Sequence, residues 1–295
     1  MDIVHHALIG GAGFLGALDG NAPIAGVAFI AGSVFPDLDV LFMVFGKHYY
    51  LRHHQSITHS IFLAPVYALI ISSSLWLLPE IDWAWSVYSG ALMGLLLHIT
   101  LDWFNTFRIA LLTPVNQRRF SLDAVFFVDS VAWSLTALFY LLYLYFEYQA
   151  MLWLYPVLFT TYIVAKWRLR CWVSSKLQPL FAIPSSLNPF EFYILEKQGK
   201  AHVSYLFNVL TRSKSNWRVY HPFGDIYQNL AERSDVFKDM KRVARAFHIV
   251  DVQENTADIT IHAADIAVRN YGGRFGHTAL RFDLAGKLIH EVANI

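Results

Sequence analysis

Uninterrupted apolar runs fill this chain as far as about Val173, whereas most Lys and Arg lie beyond that point. A chain divided in this way is a membrane half followed by a soluble half, because its first part offers far more apolar surface than one soluble core uses. Of its 295 residues, 56% are hydrophobic and only 15% charged. Inside the apolar half, the run LLLHITLDWFNT sets His98 and Asp102 one helical turn apart, on one face of a helix. An ionisable pair in so apolar a segment costs on the order of several kcal/mol unless it is paired, metal-bound or facing water.

The formal net charge of +1 gives no global basic field, so nucleic acid is not an expected partner. The single Cys171 rules out an intramolecular disulfide and fits a reducing compartment. The opening MDIVHHALIG has no Lys or Arg before the apolar stretch, and no cleaved signal peptide is expected.

Four runs are long enough to cross a bilayer core: Ser60 to Leu78, Trp83 to Phe104, Ala124 to Phe146, and Ala150 to Val164 with its flanks. Before them the Gly-rich stretch Ala7 to Phe35 breaks at Asp19-Gly20-Asn21-Ala22-Pro23, which predicts a short helical hairpin. The expected fold class is therefore an α-helical integral membrane domain over residues 1–176, with about four full spans plus that hairpin. A small cytoplasmic α+β domain over 177–295 follows. Its runs HVSYLFNVLT, ADITIHAADIAVRN and HTALRFDLAGKLIHEV read as strands, with a hairpin loop at Asp283–Lys287. Leu230 to Phe247 reads as a charged helix, and histidines 202, 221, 248, 262, 277 and 290 lack ligand spacing.

Counting crossings brings three segments to one membrane face: PDLD with Asp37 and Asp39, HHQSITHS with His54 and His59, and HITLD. The hairpin returns His6 to the same face. Loops there carry Lys47, Arg52, Arg108, Arg118, Arg119, Lys166, Arg168, Arg170 and Lys176, against acidic Asp19, Glu80, Asp82 and Glu147 opposite. The positive-inside rule makes that face and the C-terminal domain cytoplasmic, and Trp76, Trp83, Trp85, Trp103, Trp153 and Trp167 suit an aromatic belt.

Four imidazoles and three carboxylates on one face form the menu of a divalent-metal hydrolase, in which Asp commonly bridges ions. Taken singly, each has a plainer reading: Asp37 could cap a helix through Phe45, and Thr58 could cap the helix that His59 begins. His5 and His53 adjoin better candidates and are set aside. Asp129 suits either a partner for a ligand histidine or a helix-packing bond, Asp123 an N-terminal cap, and Arg118 with Arg119 lipid phosphate or a phosphoester.

The order of MDIVHHALIG, PDLD, HHQSITHS, HITLD and PSSLNPF resembles the YdjM-like bacterial family of membrane-bound metal-dependent hydrolases, over residues 1 to about 190. The resemblance implies metal-binding positions at His6, Asp37, Asp39, His54, His59, His98 and Asp102. Gln55 stands where that family often has Arg, and His5 where it often has Thr. The His-x-x-x-Asp turn and an upstream Asp are in turn similar to zinc-dependent phospholipase C, whose N-terminal amine and further histidines, which build a third metal site, have no evident counterpart here.

The expected function is a bacterial inner-membrane hydrolase of a phosphoester or lipid-linked substrate. One or two divalent ions, zinc first, would activate water, with Asp37, Asp39, His98 and Asp102 as its catalytic set. The alternatives are a metal-stabilised scaffold and, less favoured, an ion transporter, which would spread its ionisable residues across the bilayer depth.

Overall fold

In the computed structural model, which describes residues 1–78, 85–146, 149–267 and 276–294, Asp2 starts the first helix. Its carboxylate accepts from the His5 N–H at 3.0 Å and caps α1, Ile3–Asp19. Asn21, at φ 57°, turns the chain into α2, Pro23–Val34, with Pro23 in the first turn where its missing N–H costs nothing. A 3-10 segment, Phe35–Phe45, continues α2; α3 (Lys47–His53), α4 (Ala64–Trp76), α5 (Trp85–Phe104), α6 (Ser130–Tyr140) and α7 (Met151–Leu177) follow. Glu80, Asp82, Trp83 and Glu147 lie outside the described residues, as do 268–270 at the end of one predicted strand run.

Two compact units form. The first comprises Met1–Phe45, His53–Cys171 and Ser186–Pro189; the second comprises Gly46–Arg52, Trp172–Ser185 and Phe190–Ile295.

Glycine organises the first unit. A Cβ on Gly32 of α2 would run into the backbone of Ala91 and Leu95 on α5, and one on Gly90 or Gly94 of α5 would run into the backbone of Ala25, or of Phe29 and Ser33. These pairings advance together along both helices, so α2 and α5 lie parallel and in backbone contact, and the chain between them comes back through α4. Helix α5 then separates two apolar clusters. Ala28, Ala64, Ala68 and Ile71 pack on one side, and Ile9, Leu101, Phe139 and Phe159 on the other.

The number of crossings differs from the sequence expectation. Among the described residues, two segments are long and apolar enough to cross a membrane, Pro23–Phe45 and Trp85–Phe104, not about four. Leu41, Val44 and Phe45 of the first stand exposed, as a segment facing lipid would place them. The other expected spans are cut short for local reasons. Residues 60–63 form turns, with the Ser60 hydroxyl bonded to the Thr113 carbonyl, so α4 starts only at Ala64 and has 13 residues. Asp129 caps α6 through the N–H groups of Val131 and Ala132, which delays that helix to Ser130. Helix α7 has 27 residues, but Lys166, Arg168 and Arg170 fill its second half. The N-terminal hairpin is also not a pair of short arms, because the 3-10 segment prolongs the second arm to Phe45.

The second unit is built mainly of strands, in place of the expected α+β mixture. Strands β1 (Phe181–Pro184), β2 (Glu191–Gln198), β3 (Ala201–Asn208) and β4 (Lys214–Tyr220) form one antiparallel meander. Strands β5 (Phe247–Glu254), β6 (Asp258–Asp265), β7 (His277–Asp283) and β8 (Leu288–Asn294) form another. Gly286, at φ 79°, closes the β7–β8 loop by donating to the Asp283 carbonyl at 2.9 Å. The predicted helix over 230–247 is instead the pair α8 (Asp225–Ala231) and α9 (Asp235–Val243), because Ser234 accepts from the Phe237 N–H at 3.0 Å and starts a new helix. Phe237, Ile261, Leu280 and Phe282 fill the core, and Tyr193 ties the first sheet to the Ile266 carbonyl at 2.8 Å. In the same unit the Arg281 guanidinium holds the Asp258 carboxyl below the usual range.

Gly94→Ala is expected to cost about 1–3 kcal/mol by overpacking against backbone, whereas Gly16→Ala, whose Cβ meets nothing within 4 Å, is expected to be neutral or stabilising. Unfolding midpoints of the purified variants check this; equal midpoints would remove the close helix contact.

Candidate metal centre

Where α2 touches α5, the Ser33 carbonyl oxygen lies 2.7 Å from His98 Nδ1. That bond places the proton on Nδ1 and turns the Nε2 lone pair toward the other ligand candidates. His98 Nε2 is 3.3 Å from His59 Nε2, 3.4 Å from Asp102 Oδ2 and 3.5 Å from Asp37 Oδ1. His59 Nε2 is in turn 3.2 Å from Asp102 Oδ2 and 3.7 Å from Asp37 Oδ1. Ligand atoms arranged tetrahedrally at about 2.1 Å from one ion stand about 3.4 Å apart. The four residues Asp37, His59, His98 and Asp102 could therefore hold a metal ion, all their ligand atoms lying within 4.8 Å of one another.

The chemistry of these donors fits a cation. His59 and His98 are fully buried and Asp102 nearly so, while Asp37 keeps 14% exposure and opens the group on one side. Asp37 Oδ2 and Asp102 Oδ2 are buried with no aligned hydrogen-bond donor among the described residues, an arrangement that costs free energy unless positive charge compensates it. The same field acts on His59, in the turn before α4: burial pulls its pKa down, and the nearby carboxylates of Asp102 and Asp37 outweigh that and raise it.

The other predicted ligands stand around this group. His6 Nε2 lies 3.1 Å from Asp102 Oδ1, and its ring stacks on His98 with centroids 3.7 Å apart. Asp39 and His54 form a separate pair at 2.9 Å; Asp39 also accepts from the Gln55 backbone N–H at 2.8 Å. Asp39 Oδ2 is 3.8 Å from His59 Nδ1, the nitrogen facing away from the four-residue group. The Thr58 hydroxyl stands between them, 3.0 Å from that nitrogen and 3.3 Å from Asp39 Oδ2, so Asp39 reaches the imidazole only through Thr58. Arg119 steadies the same turn by donating to the His54 carbonyl at 2.8 Å.

Several residues take other parts than their sequence positions suggest. His5 stacks on Trp133 at 4.8 Å and bonds Thr136, away from the four-residue group. Asp129 caps α6 and accepts from the Tyr162 hydroxyl at 2.7 Å, a helix-packing bond and not a partner of a ligand histidine. Asp123 caps no helix and accepts from Arg170 at 3.1 Å. Thr58 likewise caps no helix; its hydroxyl faces Asp39 and His59. Two contacts carry no sequence signature: the Ser33 carbonyl on His98, and the Met1 α-amine, which pairs with Asp102. The amine's place beside Asp102 differs from the sequence expectation, which saw no counterpart here to the N-terminal amine of zinc-dependent phospholipase C.

Residues 1–173 match the family described as YdjM inner membrane protein. Over 132 residues the chain is 27% identical to the uncharacterized protein YfhP of Bacillus subtilis (strain 168), covering 42% of this chain and 39% of that protein. It thus spans about two fifths of that relative's length. No solved structure matches it. The family match takes in α1 to α5, with every residue of the candidate metal centre, and on it the chain belongs to the YdjM inner membrane protein family, which points to an inner-membrane location.

Proposed function

We propose that this protein is a membrane-bound, metal-dependent hydrolase of a phosphoester or lipid-linked substrate. One observation carries the reading: Asp37, His59, His98 and Asp102 converge within 4.8 Å, and Asp37 alone of the four is part-exposed, giving the group an approach from outside. Zinc suits two imidazoles and two carboxylates. A bound divalent ion supplies a Lewis acid and lowers the pKa of water at the site toward about 7. The protein's part is positional. Ser33 orients His98, Thr58 held by Asp39 orients His59, and His6, stacked on His98, meets the second oxygen of Asp102.

The same observation leaves a scaffold as the rival, because a group this buried could also serve only to tie α2, α4 and α5 together. Turnover separates the two. Detergent-purified protein is expected to cleave a generic phosphodiester or a phospholipid slowly, to lose that turnover on chelation and to regain it with zinc. Asp37→Asn is expected to abolish it, and Asp39→Asn to weaken metal affinity by roughly 10–100-fold, as loss of an orienting carboxylate does. Chelator-insensitive turnover would mark a contaminant. No cleavage of phosphodiesters, phosphomonoesters or lipids at full metal occupancy would leave the scaffold.

For orientation, we propose that the metal end faces the cytoplasm, on the strength of Lys47, Arg52, Arg108, Arg118 and Arg119 following the helix ends that carry the site. In a Cys171→Ser background, a cysteine at Asn21 is expected to react with an impermeant maleimide in intact cells. One at Arg118 is expected to react only after permeabilisation, and the opposite pattern would reverse the topology.

A further inference from the structure

A cavity of about 340 Å³ opens among α1, α5, α6 and α7 in the first unit. It shares two helices with the candidate metal centre, though none of the four ligand candidates lines it. On α1, Ile9, Gly13 and Gly16 line it, the first a single turn beyond His6; on α5, Leu97 and Leu101 line it, each next to His98 or Asp102. From His6 to Gly16 the helix rises about 15 Å, so the cavity leads away from the charged cluster along the bundle.

Its lining is mostly apolar, with hydroxyls only from Thr100, Tyr155 and Thr160. The Thr100 hydroxyl is spent on the Leu96 carbonyl at 2.7 Å, and the Tyr155 hydroxyl pairs with Thr136 at 2.9 Å. Gly16 is exposed, and a Cβ there would meet no atom of the described residues within 4 Å, so a longer side chain at that position would reach into the open side of the cavity. Apolar walls around an unfilled slot forfeit dispersion contacts that an apolar occupant would restore. The volume lies near the lower end of the ~300–1,000 Å³ typical of ligand pockets, room for one slender apolar group.

We propose that this cavity holds one hydrocarbon tail of a phosphate-bearing membrane lipid whose headgroup lies at Asp37, His59, His98 and Asp102, a substrate class that rests on the hydrolase reading above. In an inner-membrane protein, lipid tails are the apolar molecules at hand. The buried carboxylates and imidazoles, and the apolar slot along the same α1 and α5, match the two ends of such a molecule.

The test uses the full chain in phosphatidylcholine nanodiscs containing phosphatidic acid with a diazirine at its acyl terminus. After irradiation, adducts are mapped by peptide mass spectrometry. Adducts are expected on α1 between Ile9 and Gly16 and on the facing part of α7, above the level found at Met93, which is exposed on α5. Gly16→Leu is expected to cut the cavity adducts about tenfold, the loss for roughly two methylenes kept from apolar burial, with Met93 labelling unchanged. Gly16→Ala is expected to keep most of them. Cavity labelling no higher than at Met93, or labelling undiminished in Gly16→Leu of wild-type unfolding midpoint, would overturn the proposal. Labelling needs no turnover, so cavity adducts in a protein that hydrolyses nothing would sink the hydrolase reading and leave the tail site standing.

Discussion

The backbone contact between α2 and α5 is the constraint from which the site follows. Gly32 on one helix and Gly90 and Gly94 on the other let the two chains touch without side chains between them. Only at that separation does the Ser33 carbonyl reach His98 Nδ1 at 2.7 Å, and the 3-10 turn that continues α2 carry Asp37 to within 3.5 Å of His98 Nε2. Because the helices run parallel, their C-terminal ends lie together. The turn before α4 then needs to supply only His59. Small residues at such a contact are the usual means of close approach between helices in an apolar environment.

The same approach creates an electrostatic debt. Asp102 is nearly buried and is met by His6, His59, His98 and the Met1 amine, while one oxygen of Asp37 and one of Asp102 are left without an aligned donor among the described residues. The Met1 amine brings one positive charge beside Asp102, which does not by itself neutralise two carboxylates in so apolar a place. A divalent cation would do so with ligand spacings already close to those it requires. Asp39 adds to the arrangement from behind, holding His54 and facing the far nitrogen of His59.

How far all this could be read in the sequence depends on the kind of signal. His98 and Asp102 were legible because ionisable groups at helical spacing are conspicuous in an apolar run, and Asp37 and His59 because the same residue types recur in short motifs. What distinguishes Asp39 from Asp37 was not legible: two residues apart in a 3-10 turn, they face different partners, and no pattern of residue types encodes that. The Ser33 carbonyl was invisible for a simpler reason, since every residue has one. The span count failed where capping side chains overrode hydropathy. Asp129 and the turns around Ser60 shorten runs that composition alone would extend. In the C-terminal half, a single serine, Ser234, splits what charge periodicity presents as one helix.

The central claim is that Asp37, His59, His98 and Asp102 bind one divalent ion. X-ray absorption at the zinc edge on the purified, zinc-loaded full chain tests it directly, because imidazole leaves a distinctive multiple-scattering signature and the lone Cys171 would give sulfur at about 2.3 Å. The account predicts an all nitrogen and oxygen shell at about 2.0–2.1 Å with two imidazoles, one of which disappears in His98→Ala along with most of the bound metal. A shell without imidazole, or one unchanged in occupancy and composition by His98→Ala, would contradict it.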